Sequence, residues 1–346
     1  MSTHTMRAAV LIKHGDAAQA FEIRTIERPA RQAHQLLIRV EAFGLNFADV
    51  MARLGLYRDA PPMPAILGYD FVGEVIEAPE AFAHLVNQRV AGMCRFGAYA
   101  EYLVCEPYSV IAVPAAFDAA QACALGTQYC TAWHAAFQAT NLREGETVLI
   151  HSAAGGVGTA LVQLAKWKKC TIVGTTGSIN KLDLLHAAGV HHAIHNPSGG
   201  YAENIKKQLG ERKIDVSFNA VAGRTFKQDM KLLAPGGRLV LFGAAERAGR
   251  RGGTLATLKL LWDMGLMLPI FLMGQSQAVV GVNMLRIADH RPDLIADALQ
   301  NIVLLLADST LQPLSGGVFP IQELAIAHDS LEFRRTSGKL AVTWQA

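Results

Sequence analysis

The chain has 346 residues, 51% of them hydrophobic and 18% charged, which excludes disorder and suits about two domains. Its net charge of +3 is spread along the chain, which excludes a nucleic-acid surface built on a basic stripe. The five cysteines, at 94, 105, 123, 130 and 170, form no CxxC pair; neither a disulfide framework nor a four-cysteine zinc knot is expected, and a reducing, cytoplasmic compartment is.

The N-terminal MSTHTMRAAVLIKHG has only a short apolar run before Lys13 and His14, unlike a secretory signal. The first third then reads as β-rich. MRAAVLIK, QLLIRVEAFG, DFVGEVIEA and YAEYLVC are apolar or β-branched runs separated by Pro, Gly and charged clusters, as in a small barrel-like domain. A helical connection is expected from Pro114, where the sequence turns Ala-rich.

From Thr147 the pattern changes. TVLIHS is a continuous apolar strand, GTALVQLAKWKK has helical spacing, and CTIVGTT, KLDLLHAAG, HHAIHN, NIKKQLG, DVSFNAV, FKQDMKLLA and RLVLFGA continue the alternation. Such alternation predicts βαβ units and a doubly wound parallel sheet over about 127–275. The apolar window 255–273 is interrupted by Lys259, Asp263 and Pro269; it is read as buried or half-buried helix and not as a spanning segment. QAVVGVNML then looks like an edge strand, which predicts two-fold pairing into a homodimer. PDLIADALQNIVLLLAD and the strand KLAVTW are expected to complete the first domain, giving 1–126 with 276–346 and 127–275.

Between TVLIHS and its helix lies Ala153-Ala154-Gly155-Gly156-Val157-Gly158. A dinucleotide's pyrophosphate must approach backbone N–H groups at a helix N-terminus, where amides lack partners and the dipole favours negative charge. Residues without bulky side chains allow that approach. Strand before and helix after distinguish this turn from a bare glycine triplet. An NAD site usually places an acid after the second strand to bond the ribose 2′-hydroxyl. Here the sequence reads Thr175-Thr176-Gly177-Ser178, followed by Lys181. A hydroxyl and an ammonium suit a 2′-phosphate, so NADPH is the expected cofactor; the alternative is a solvated Lys181 in the first turn of a helix.

Taken in order, GLNFADVMARLGLY (44–57), LGYDFVGEV (67–75), TAWHA (131–135), HSAAGGVG (151–158) and LLAPGGRLVLFG (232–243) resemble the quinone oxidoreductase branch of the medium-chain dehydrogenase/reductase superfamily, close to its vesicle amine transport protein-like members. The resemblance implies a Rossmann domain plus a GroES-like catalytic domain. It implies roles for Ala154, Gly155, Gly156, Val157, Gly158, Ser178, Lys181, Phe242 and Gly243 in cofactor binding. It places Asn46 and Thr131 near the nicotinamide end, and Arg334, with Arg335 as competitor, near the 2′-phosphate. Tyr57 matches a tyrosine of the substrate cleft, where a phenol can donate to an oxygen that gains negative charge. Positions that hold a zinc-ligating Cys and His in other members read Asn46 and Tyr69 here, and Asn is no tetrahedral zinc ligand. Asp49 is read as a structural cap and His134 as a packed or surface histidine, with a general acid as the alternative. Met51 replaces a second tyrosine, and Asn196 a stacking one. The expected activity is zinc-independent reduction of a quinone or enone by NADPH, and the alternative an NADPH-binding regulatory or interaction protein.

Overall fold

The computed structural model describes residues 4–197, 200–246 and 253–344. The chain divides into two compact units: Met1–Cys130 with Leu285–Ala307 and Pro313–Ala346, and Thr131–Met284 with Asp308–Gln312.

In the first unit the alternating runs of the N-terminal third become two sheets. The larger sheet has the order Ser315–Pro320, Lys339–Thr343, Leu36–Leu45, Asp70–Glu77, Arg89–Met93 and Val110–Ala112, and Tyr102–Cys105 also pairs with Leu36–Leu45. All its pairs are antiparallel except Ser315–Pro320 with Lys339–Thr343. Leu36–Leu45 is central and buried on both faces apart from Arg39 and Glu41, which explains its nearly unbroken apolar sequence. Ile38, Phe43, Phe71, Val75, Tyr99 and Val342 form the core around it, with the Phe43 and Tyr99 rings stacked at 4.2 Å. Thr5–Leu11, between Phe21–Glu27 and Ala65–Ile66, makes a smaller sheet.

The second unit holds a six-stranded parallel sheet in the order His192–His195, Thr171–Thr176, Thr147–Ile150, Ile214–Asn219, Leu233–Leu241 and Ala278–Gly281. Parallel strands covered on both faces read as continuous apolar runs, and all four residues of Thr147–Ile150 are buried. Strand order reverses between Thr147–Ile150 and Ile214–Asn219, the switch point where doubly wound sheets bind ligands beyond their carboxyl ends. Because Ala278–Gly281 is the sixth strand, this unit runs to Met284 and not to about 275.

The window 255–273 differs from its expectation of burial, as judged from residues 256–273. Trp262, Leu266 and Met273 are 82%, 87% and 73% exposed. Two helices, Gly253–Met264 and Pro269–Gln275, meet at Gly265, which has φ 75°, and Pro269. Apolar side chains therefore point all round two short rods, and among them Ala256 and Leu260 face inward. Ala256–Gln275 is apolar and long enough, by length and composition, to cross a membrane.

Candidate functional site

In the second unit, the chain leaves Thr147–Ile150 through Ser152, at φ 53°, and enters helix Gly156–Trp167. Gly155 is its N-cap, and no side chain caps it. The first amides of a twelve-residue helix thus retain the dipole and donors that bind an anion. Gly158 is required by packing: a Cβ there would lie 2.3 Å from the Ser152 carbonyl oxygen. Ala154 is buried beneath the turn, and Val157 is half-buried. A pyrophosphate fits this uncapped terminus.

Ser178 and Lys181 share one turn beyond Thr171–Thr176, closed by the Lys181 N–H donating to the Ser178 carbonyl at 3.2 Å. Phe242 and Gly243 follow Leu233–Leu241, and the Phe242 N–H donates to the Asn219 carbonyl at 3.2 Å. A Cβ on Gly243 would meet the Ala220 oxygen at 2.7 Å. The glycine turn, the Ser178–Lys181 turn and Phe242-Gly243 thus all follow carboxyl ends of parallel strands.

Below them lies a polar cluster that sequence reasoning missed. Asp229 is fully buried and accepts from Ser217 Oγ at 2.8 Å, Asn219 Nδ2 at 2.6 Å and the Tyr201 hydroxyl. His151 Nε2 stands 3.0 Å from both carboxylate oxygens, and Thr175 Oγ1 is 3.2 Å from His151 Nδ1. A proton on Nε2, with the threonine hydroxyl donating to Nδ1, satisfies the whole chain. Asn219 Oδ1 accepts the N–H groups of Val221 and Ala222, each at 2.8 Å. The cluster therefore ties together the two strand ends that flank the switch point. Thr131 opens this unit and is buried, and His134 Nδ1 lies 2.7 Å from Gln138 Oε1, consistent with a packed histidine.

In the first unit, Asn46 caps helix Phe47–Arg53, and the Asp49 carboxylate accepts the Asn46 N–H at 2.8 Å and the Gly68 N–H at 3.2 Å. Asp49 is thus a structural cap. Burial pushes its carboxyl up to about 7. The Asn46 amide is turned inward: Nδ2 donates to Asp70 Oδ2 at 2.9 Å, and Oδ1 accepts from Lys339 Nζ at 3.0 Å. Lys339 Nζ also donates to Asp70 Oδ2 at 2.6 Å, with both side chains fully buried. Asp70 Oδ1 has no hydrogen-bond partner. Gly44 makes room for the pair, since a Cβ there would lie 2.2 Å from Asp70 Oδ1 and 2.3 Å from Lys339 Cε. The sequence signal for Lys339 was a lone charge opening the otherwise apolar strand LAVTW.

This donor set does not fit zinc. Asn46 and Tyr69, which the resemblance aligns with zinc ligands of other members, offer an amide and a phenol, Asn46 already faces an ammonium, and no group of three or more candidate ligands occurs among the described residues. Tyr57 is half-buried, with its ring 6.3 Å from Tyr69 and nearly perpendicular to it. Phe96 packs on the other ring at 4.8 Å. Phe96 also borders a cavity of about 410 Å³ lined by Met93, Cys94, Cys105, Tyr108 and Leu285. Arg334 is exposed at φ 58°, just past helix Leu324–Glu332.

Residues 32–115 match the family described as Alcohol dehydrogenase GroES-like domain, and residues 156–286 the one described as Zinc-binding dehydrogenase. The human Synaptic vesicle membrane protein VAT-1 homolog is 31% identical over 314 residues, covering 90% of this chain and 79% of its own. Human Quinone oxidoreductase is 30% identical over 330 residues, 94% of either chain. The crystal structure of human synaptic vesicle membrane protein VAT-1 homolog-like protein superimposes with a TM-score of 0.84 at 25% identity, covering 99% of both chains. Quinone oxidoreductase of Pseudomonas syringae pv. Tomato DC3000 gives 0.83 at 25% identity, covering 98% of this chain and 99% of that one. With a GroES-like domain joined to a Rossmann-like parallel sheet, this chain is an oxidoreductase-type member of the medium-chain dehydrogenase/reductase superfamily, in its quinone oxidoreductase branch near VAT-1.

Proposed function

We propose that the protein reduces quinones or related enones with NADPH and without zinc. The observation that carries this reading is the turn Thr176 to Lys181: it follows the strand beside the uncapped glycine turn and offers a hydroxyl and an ammonium where an NAD site has a carboxylate. The first unit, with the tail, is the catalytic GroES-like domain, and the second binds NADP. When bound, NADPH supplies the hydride. Gly155, Gly156, Val157 and Gly158 offer the helix N-terminus to the pyrophosphate over Ala154. Within the second unit, Ser178 and Lys181 bind the 2′-phosphate, while Phe242, Gly243 and Thr131 line the nicotinamide end. Lys339 and Asp70 fix the Asn46 amide from behind, leaving its second Nδ2 hydrogen for a ligand. Tyr57 donates to the quinone or enone oxygen as charge develops there.

The unpaired side of edge strand Ala278–Gly281 supports a homodimer, and the composition a cytoplasmic protein. The exposed apolar stretch Ala256–Gln275, together with relatives named for a vesicle membrane, favours a second reading: an NADPH-binding interaction protein with little turnover. Loss of NADPH absorbance with a panel of ortho- and para-quinones and simple enones separates the two. Tight NADPH binding without turnover across the panel selects the second.

A further inference from the structure

The resemblance aligns Tyr69 with a metal ligand of other members, yet its surroundings are built for a phenol. Its backbone is pinned from both sides: the preceding Gly68 N–H donates to Asp49, and the Tyr69 carbonyl accepts the Cys94 N–H at 2.7 Å. Gly68, at φ 95°, admits no side chain, since a Cβ would lie 2.5 Å from the Tyr99 ring. Phe96, which closes on the ring, holds a φ of 62°, an outlier for an aromatic residue that a fold keeps where geometry matters. The Tyr69 hydroxyl is buried and makes no hydrogen bond of good geometry, yet it stands close enough to the Tyr57 phenol to oppose the rise that burial gives the Tyr57 pKa, and so loose a contact calls for an explanation.

The neighbouring polar groups narrow the choice. Asp49 and Asp59 act on both phenols and Arg95 on Tyr57. Asp49 is bound to two backbone N–H groups, Asp59 is paired with Arg286 at 2.5 Å, and Arg95 is paired with Asp289. The remaining neighbour is the Tyr57 phenol. The two phenols are unequal. Tyr69 is the more deeply buried, and burial holds its proton far more firmly than that of Tyr57.

We infer that Tyr69 is a positioning residue: its hydroxyl donates to the Tyr57 oxygen as Tyr57 releases its own proton to the reduced substrate's oxygen. The inference rests on the reductase reading and deepens it. The Tyr57 O–H bond breaks, the proton passes to the enolate or hydroquinone oxygen, and the phenolate left behind accepts from Tyr69, which keeps its proton. Solvent then reprotonates half-buried Tyr57. Such a bond stabilises the charged form and lowers the Tyr57 pKa, which brings a phenol closer to the range useful for proton transfer.

The test is fluorotyrosine labelling with ¹⁹F NMR, in which seven tyrosines are separated by Y57F and Y69F. In Y69F the Tyr57 resonance is expected to titrate about one unit higher. Turnover should fall about tenfold, its alkaline limb should move up by the same amount, and NADPH affinity should hold. Y57F/Y69F should be no slower than Y57F alone, because Tyr69 acts through Tyr57. Removing a hydroxyl so loosely bonded leaves Y69F at least as stable as the parent, so misfolding does not intervene. An unchanged Tyr57 titration in Y69F, or losses that add in the double variant, overturns the inference. A shifted titration in a protein that turns over no quinone or enone supports the phenol coupling and defeats the reductase reading.

Discussion

Asp229 and Asp70 are both completely buried, but they are kept in different company. Four side chains surround Asp229: an imidazole, a phenol, a hydroxyl and an amide, each within hydrogen-bond distance of a carboxylate oxygen. Asp70 has an ammonium and one amide, both on Oδ2, and nothing on Oδ1. Distributed dipoles make a rigid, redundant clamp, suited to holding two strand ends for a cofactor. A single cation makes an all-or-none lock, and it leaves one carboxylate oxygen without a partner beside the perturbed Asp49. Saturated polar networks rigidify, while an unpaired buried polar group carries an uncompensated desolvation cost.

The largest effect should come from breaking the lock. Lys339→Met strands a buried carboxylate and should cost about 3–5 kcal/mol in denaturant titration, while adding Asp70→Asn should restore much of it; equal instability of single and double variants would refute the pair. Next, Tyr57→Phe should reduce turnover about a hundredfold to a thousandfold with NADPH affinity unchanged, and unaltered kinetics with several acceptors would assign Tyr57 to packing. The clamp should forgive more than the lock. Ser217→Ala removes one donor among several and should cost about 1.5–3 kcal/mol at most; a loss as large as that of Lys339→Met would erase the distinction. Lys181→Ala should weaken NADPH binding by about tenfold to a hundredfold and leave NADH binding alone. Equal affinity for both cofactors in the parent, read by fluorescence titration, would return Lys181 to the solvated surface.

The smallest effect is a slope. The Asp49 carboxyl is raised by burial from its ordinary 3.8 to about 7. The folded state then holds a proton that the unfolded state has lost, so this contribution is present below 3.8 and disappears as pH rises through about 7. Buried His328, depressed by burial to about 3, works the other way: its contribution is full above its ordinary 6.5 and is lost as pH falls toward 3. Relative to the parent, Asp49→Asn should gain stability on going from pH 4 to 7. Parallel stability curves would show that Asp49 titrates normally.

Local patterns were legible in the sequence. Strand, glycine turn and helix announced themselves within thirty residues, and Asn46 with Asp49 carries the spacing of a helix cap. The lock was not legible, because Lys339 and Asp70 are 269 positions apart and nothing local pairs them. The clamp was hidden for the same reason, with His151 read only as the end of a strand. The stretch around Trp262 misled in another way: apolar residues on every side of a helix normally signal burial, and periodicity does not reveal that a segment stands exposed. Tyr69 was seen as a missing ligand, and only the packing around its hydroxyl gave it another meaning.

Gly44 carries a consequence for how this protein can vary. Any side chain there would overlap the Asp70 carboxylate and the Lys339 stem, and neither of those charges tolerates loss of the other. The three positions lie on adjacent strands, Leu36–Leu45, Asp70–Glu77 and Lys339–Thr343, so Asp70 and Lys339 can change only together, and Gly44 only once they have changed. They form a small ratchet in sequence space. Single steps away from it are blocked, and an exit toward an uncharged centre must first replace Asp70 and Lys339 together, after which position 44 is free to gain a side chain.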